Sequence, residues 1–171
     1  MGLESLDPNF RELLESLNSA GVKYLVLGGY AVNYYGYHRA TDDLDIWIAV
    51  DDANATRISN ALKSFGFADS AVRSSRFLQK NRVFVFGREP LRVDILTAAT
   101  GIDFQDCYSR RLEVVWDGVR VPLISLADLK ANKVASRRKK DLADIDGLPA
   151  SVEAPTKRKR KLKRRGRRRK R

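Results

Sequence analysis

At 171 residues, with 33 Lys and Arg against 21 Asp and Glu and a formal charge of +12, the chain is long enough for one domain with a real core plus an extension. The charge is local: residues 157–171 hold 13 basic residues and no acidic one, leaving 20 basic against 21 acidic residues in 1–156. A body so close to neutral excludes a nucleic-acid binder that is basic throughout. A single cysteine, Cys107, excludes an internal disulfide and a cysteine zinc site, and a single histidine, His38, excludes a multi-histidine metal centre.

In chain order, Asp7-Pro8 opens a helix, with Asp as cap and Pro at the first helical position. Phe10, Leu13, Leu14 and Leu17 give it one apolar face, and Gly21 stops it. Residues 22–27 read as a buried strand. A short helix runs from about Gly29 to near Gly36, and 44–50 alternates as a strand. Asp51 and Asp52 cap a helix with Ile58, Leu62 and Phe65 on its apolar side, ended by Gly66. Two strand-like runs follow, 82–86 and 91–96, joined by a turn at 87–90. In the second, Leu91, Val93 and Ile95 face one way while Arg92, Asp94 and Leu96 face the other. Residues 104–111 form a short helix, and Asp117-Gly118 marks a hairpin between 113–116 and 119–122. Ser125 caps a helix to about Arg137, and 140–148 forms another.

After Leu148 the composition changes. Residues 149–155 read as linker, and the Lys/Arg run beyond has too few apolar groups to offset its ordering entropy. The expected organisation is a domain over 1–148 and a linker with a disordered basic tail over 149–171. Lys157, Arg158, Lys159, Arg160, Arg164 and Arg165 are candidate RNA contacts in that tail, which is equally a polyanion tether or a targeting signal. No apolar stretch is long enough to cross a membrane, and the first residues lack a signal-peptide pattern, so the cytoplasm is the expected compartment.

The chemistry concentrates in 24–48. A strand ends in Gly28-Gly29, a short helix follows, and a second strand carries Asp43 and Asp45 at i and i+2, on one face. Glycines at a helix start let backbone N–H groups approach phosphate. Paired carboxylates are hard oxygen ligands of the type Mg²⁺ takes. The glycines also fit a plain strand-to-helix turn. Asp42 reads as a solvated carboxylate, Arg39 as a phosphate fork or a partner of Asp42 or Asp43, and His38 as a packing residue among tyrosines.

This run resembles the signature of the polymerase-beta-like minimal nucleotidyltransferases: a Gly-Gly or Gly-Ser pair, about a dozen residues, then Asp-hydrophobic-Asp. The block Arg39-Ala40-Thr41-Asp42-Asp43-Leu44-Asp45 is similar to the AbiEii/AbiGii toxin-type branch. A second stretch, 124–148, resembles that branch's Leu-x-x-Leu-x-x-x-Lys helix, Gly-Arg-x-Lys-Asp turn and final acidic helix. It aligns Lys133 with the helix lysine, Arg138 with the turn arginine, and Asp141 and Asp144 with the acidic pair. Arg137 stands at the usual glycine, which puts the shape of the turn in question.

The resemblance implies an α/β (α+β) nucleotidyltransferase fold, a mixed β-sheet flanked by helices. It implies Asp43, Asp45 and Asp94 as catalytic metal ligands, with two Mg²⁺ ions expected. Gly28, Gly29, Arg39, Thr41 and Lys133 are its nucleotide contacts, and an NTP is the co-substrate. Asp141 is expected to cap the last helix or pair with Lys133. In this branch the acceptor can be RNA, notably the 3′ end of tRNA, and the context is a toxin with a cognate antitoxin. Two alternatives stand beside it: an antitoxin-type transferase that modifies a partner protein, and a catalytically silent RNA-binding module.

Overall fold

The computed structural model describes residues 5–151. The RNA-contact expectations at 157–165 and the disorder expected of the tail lie outside the described residues.

The helix Pro8–Ser19 (α1) is capped by Asp7, whose side chain accepts from Asn9 N–H. Its buried face is Phe10, Leu13, Leu14 and Leu17. Strand β1 (Tyr24–Leu27) is buried throughout and passes directly into helix α2 (Gly28–Tyr34), one residue earlier than the sequence pattern places it. Strand β2 spans Asp43–Ile48, and helix α3 spans Asp52–Ser64 with Asp51 as its cap. A 3-10 helix, Ser74–Leu78, was not legible because five residues are too few to show a period. It buries Phe77 against Phe84. Strands β3 (Val83–Arg88) and β4 (Leu91–Leu96) then form a hairpin. Pairing continues through Gly87 and Arg88, so only Glu89 and Pro90 form the turn.

Helix α4 (Phe104–Ser109), the hairpin of β5 (Leu112–Trp116) and β6 (Val119–Leu123), and helices α5 (Leu126–Ser136) and α6 (Lys139–Gly147) complete the chain. Ser125 caps α5 by accepting from Asp128 N–H. The Cys107 thiol lies buried in α4, and burial pushes it up to about 11. It belongs to the hydrophobic core.

The six strands make one mixed sheet in the order β3-β4-β2-β1-β6-β5. The β2–β4 and β1–β6 pairs are parallel and the others antiparallel. Central strands β1 and β2 are apolar on both faces, apart from Asp43 and Asp45. Among the described residues no helix is long and apolar enough to cross a membrane.

A buried asparagine ties this framework together. Asn54 of α3 accepts from Lys23 N–H at 2.7 Å and donates to Lys23 O at 3.0 Å and Ala49 O at 2.8 Å. It thus holds the start of β1 and the exit of β2 to one helix. Asn54→Ala strands these backbone groups in the interior, and each lost partner costs a desolvation penalty. The expected loss is about 2–3 kcal/mol in urea denaturation, with little change in nucleotide affinity of the folded fraction. An unchanged midpoint would contradict this role.

Candidate active site

Parallel pairing of β2 with β4 brings the carboxylates together. In register, Asp45 lies beside Asp94 and Asp43 beside Arg92. One oxygen from each of Asp43, Asp45 and Asp94 lies within 4.8 Å of the others. Three hard oxygen donors at that spacing fit a divalent cation such as Mg²⁺. Asp45 bears the strain of the cluster. Burial first, then the charges of Asp43 and Asp94, push its carboxyl up to about 7, while Lys140 and Arg138 pull the other way.

Gly28 and Gly29 are required here for space. Gly28 has φ +67, and a Cβ on it would fall 1.8 Å from Asp45 Oδ2. A Cβ on Gly29 would fall 2.2 Å from Thr41 Oγ1. The strand-to-helix turn therefore lies directly against the carboxylate and the loop threonine. The Thr41 hydroxyl donates to Asp43 Oδ1 at 3.1 Å, so in this structure it orients a metal-ligand candidate.

Arg39 corrects one expectation. Its guanidinium forks Asp144, Nε to Oδ1 at 2.7 Å and Nη2 to Oδ2 at 3.1 Å, rather than Asp42 or Asp43. The Asn33 side chain holds the Arg39 backbone from both sides, through its N–H and its carbonyl. Asp42 is exposed, as its solvated reading implies, but His38 is exposed too, where a packing residue is expected.

Lys133 is buried, and its Nζ donates to Asp141 at 3.0 Å and Asp144 at 2.6 Å. The ammonium is thus neutralised by two carboxylates, and of the two contacts expected of Asp141 the structure makes the pairing with Lys133. Asp141 also accepts from Arg138 Nε at 2.7 Å and from the Ser136 hydroxyl. Burial alone would raise its carboxyl, but bonds from Ser136, Lys133 and Arg138 outweigh it and hold it at about 2. Burial likewise opposes ionisation of Asp144, and Arg39 and Lys133 overcome it. Arg137 takes a left-handed φ of 55 at the end of α5. The turn keeps the shape a glycine favours, at about 1 kcal/mol for the side chain.

These parts line one cleft of about 520 Å³. Gly28, Gly29, Arg39 and Lys133 line it with the three carboxylates, as do Arg92, Arg138 and Lys140. Arg92 is the residue that sequence reasoning missed. Its fork closes on Asp94, Nε to Oδ1 at 2.8 Å and Nη2 to Oδ2 at 2.6 Å. The signal was available, since Arg92 and Asp94 share a strand face at i and i+2. Lys140 had no such signal, because only the α5–α6 turn carries it to the cleft.

A family model described as "Nucleotidyltransferase of unknown function (DUF6036)" matches residues 2–149. The chain belongs to this nucleotidyltransferase family. Its fold agrees with solved relatives. An antigenic nucleotidyltransferase-like protein from Paracoccidioides brasiliensis is 20% identical, with a TM-score of 0.51 over 81% of this chain and 72% of that one. The antibiotic-resistance factor ANT(2'')-Ia is 13% identical, with a TM-score of 0.51 over 81% of this chain and 79% of that one. No curated protein matches by sequence.

Lys133→Ala removes the cation shared by two buried carboxylates and leaves Asp144 to Arg39 and Asp141 to Arg138, so the expected loss is about 3 kcal/mol of stability, read by thermal or urea melts. A melt like the parent's would show that the pair is dispensable to the fold. The raised Asp45 has the opposite consequence. Its folded-state carboxyl holds a proton that the unfolded chain releases at lower pH, so its stabilising contribution is lost as pH rises through about 7. Metal-free protein should melt lower at pH 8 than at pH 6, Asp45→Asn should melt higher than the parent at pH 8, and Mg²⁺ should raise the parent alone. Equal melts for parent and Asp45→Asn at pH 8 would refute the repulsion.

Proposed function

We propose that this transferase moves a nucleoside monophosphate from an NTP to a hydroxyl of RNA, the 3′ end of a tRNA, in a Mg²⁺-dependent reaction, and that it acts as the toxin of a toxin–antitoxin pair. The observation that carries the proposal is the meeting of Asp43, Asp45 and Asp94 with Gly28-Gly29 and the α5–α6 cations in one cleft. The toxin-type likeness of 39–45 and 124–148 supports the branch.

Mg²⁺ held by the three carboxylates, as a pair of ions, supplies neutralisation of the triphosphate and acidification of the attacking hydroxyl. The chain does the positioning. Backbone at Gly28-Gly29 and the exposed side chains of Arg138 and Lys140 take the β- and γ-phosphates. Thr41 holds Asp43 in orientation, and the Arg39–Asp144–Lys133 network holds the loop and the turn. Asp94 receives the proton of the acceptor hydroxyl. The acceptor oxygen bonds to the α-phosphorus, the bond from that phosphorus to the bridging oxygen breaks, and pyrophosphate leaves towards the cations.

The basic run 157–171 favours an anionic acceptor and adds affinity without sequence choice. The test is incubation with each α-labelled NTP, Mg²⁺ and total RNA. Label is expected in RNA with the parent and absent with Asp43→Asn, which keeps the shape and removes a ligand charge. Deleting 157–171 should leave NTP binding intact and weaken RNA binding by a factor that shrinks as salt rises. Label in a protein, or equal labelling by Asp43→Asn, would overturn the reading.

A further inference from the structure

The register of β4 with both its neighbours is continuous across the three carboxylates. Side chains on that face of the sheet therefore form three rows. The middle row is Val85, Asp94 and Asp45. On one side of it lie Gly87, Arg92 and Asp43, and on the other Val83, Leu96 and Trp47. The inner end of the last row is closed, since Trp47 is buried edge-on against Phe104. The outer end is open: Val83 and Val85 are each 54% exposed. Their strand neighbours Phe84 and Phe86 are buried on the other face, so β3 is firmly seated and the valines are displayed.

An edge strand is ordinarily protected by charge on its open face. Here two apolar side chains stand there instead, one strand from a carboxylate of the reacting centre. In-line transfer gives their position a meaning. The leaving pyrophosphate and the attacking oxygen lie on opposite sides of the α-phosphorus. Gly28 follows β1, which flanks β2 on the side away from β4. With pyrophosphate on the glycine side, the attacking hydroxyl comes from across β4, over β3.

We infer that β3 is the platform on which the 3′-terminal nucleoside of a single-stranded RNA acceptor lies. This rests on the RNA-acceptor reading above. The base and ribose pack on Val83 and Val85, the 3′ hydroxyl reaches Asp94, and the preceding phosphate meets Arg92. Outside the three carboxylates, Arg92 carries the only charge in the rows, and that charge suits a phosphate and repels a polycation. With Asp94 turned to a metal, the Arg92 guanidinium would be released from its fork beside exposed Gly87, within the acceptor's path.

The test uses full-length protein, Mg²⁺, the preferred NTP and an oligoribonucleotide ending in 4-thiouridine. The double variant V83S/V85S removes the apolar contact without adding charge, at positions exposed enough to spare the fold. The KM for the oligoribonucleotide should rise about tenfold, with NTP affinity unchanged by equilibrium dialysis. Irradiation should crosslink the terminal base to residues 83–88 in the parent and much less in the variant. Arg92→Lys, which keeps the charge and loses the fork, should raise the acceptor KM and tighten Mn²⁺ binding. A parent that labels RNA, with an unchanged acceptor KM in V83S/V85S and a crosslink elsewhere, overturns the platform alone. A parent that labels no RNA removes the acceptor reading and the platform with it.

Discussion

Three carboxylates held within 4.8 Å are the constraint on which the rest of this structure depends. Two like charges 4 Å apart repel by about 4 kcal/mol at the effective dielectric of a protein surface. A sheet that forces such a cluster must neutralise it or lose stability. The chain does both in part: Asp45 is pushed towards its protonated form, and Arg92 clamps Asp94. The three oxygen donors fit a divalent cation as the remaining neutraliser. The backbone is arranged so that nothing else fills the space. The two glycines lack the Cβ atoms that would collide with Asp45 and Thr41.

A second layer keeps the cations in place. Lys133, Asp141 and Asp144 are buried, with Arg39 and Arg138 at the margin. Such buried ion pairs contribute little net stability compared with apolar packing, because desolvation opposes the attraction. What they do is fix geometry. Asp144 joins the loop before β2 to α5 through Arg39 and Lys133, and the same loop carries Thr41 to Asp43. Asp141 pins the turn that carries Arg138 and brings Lys140 to the cleft. Asp141 keeps its charge until pH falls to about 2, and Arg39 and Lys133 hold Asp144 below the usual carboxylate range as well, so the scaffold is constant across the range in which Asp45 titrates.

Much of this was legible because it is local. Alternation places Asp43 and Asp45 on one face of a strand whatever the tertiary fold. The caps at Asp7, Asp51 and Ser125 follow from side chains that satisfy free N–H groups within a few residues. The spacing of glycines and carboxylates pointed to a nucleotidyltransferase, and the family match agrees with it. Asp94 could be singled out only by resemblance, since it lies about fifty residues from its partners and strand pairing carries no local mark.

By itself, then, the sequence determined most of the elements, their apolar faces and the Asp43–Asp45 pair, all of which are written in periods of two or 3.6 residues and in side-chain chemistry. The tertiary structure alone decided the partners. Parallel pairing of β2 with β4 put Asp94 beside Asp45 and Arg92 beside Asp43. Packing of α6 on α5 turned Lys133 from a free cation into the centre of a buried network, and drew Arg39 to Asp144. Sheet order left Val83 and Val85 open beside the reacting centre. The physical reason is that a charged side chain's role is set by what desolvates and neutralises it, and those groups come from elements far away in the chain.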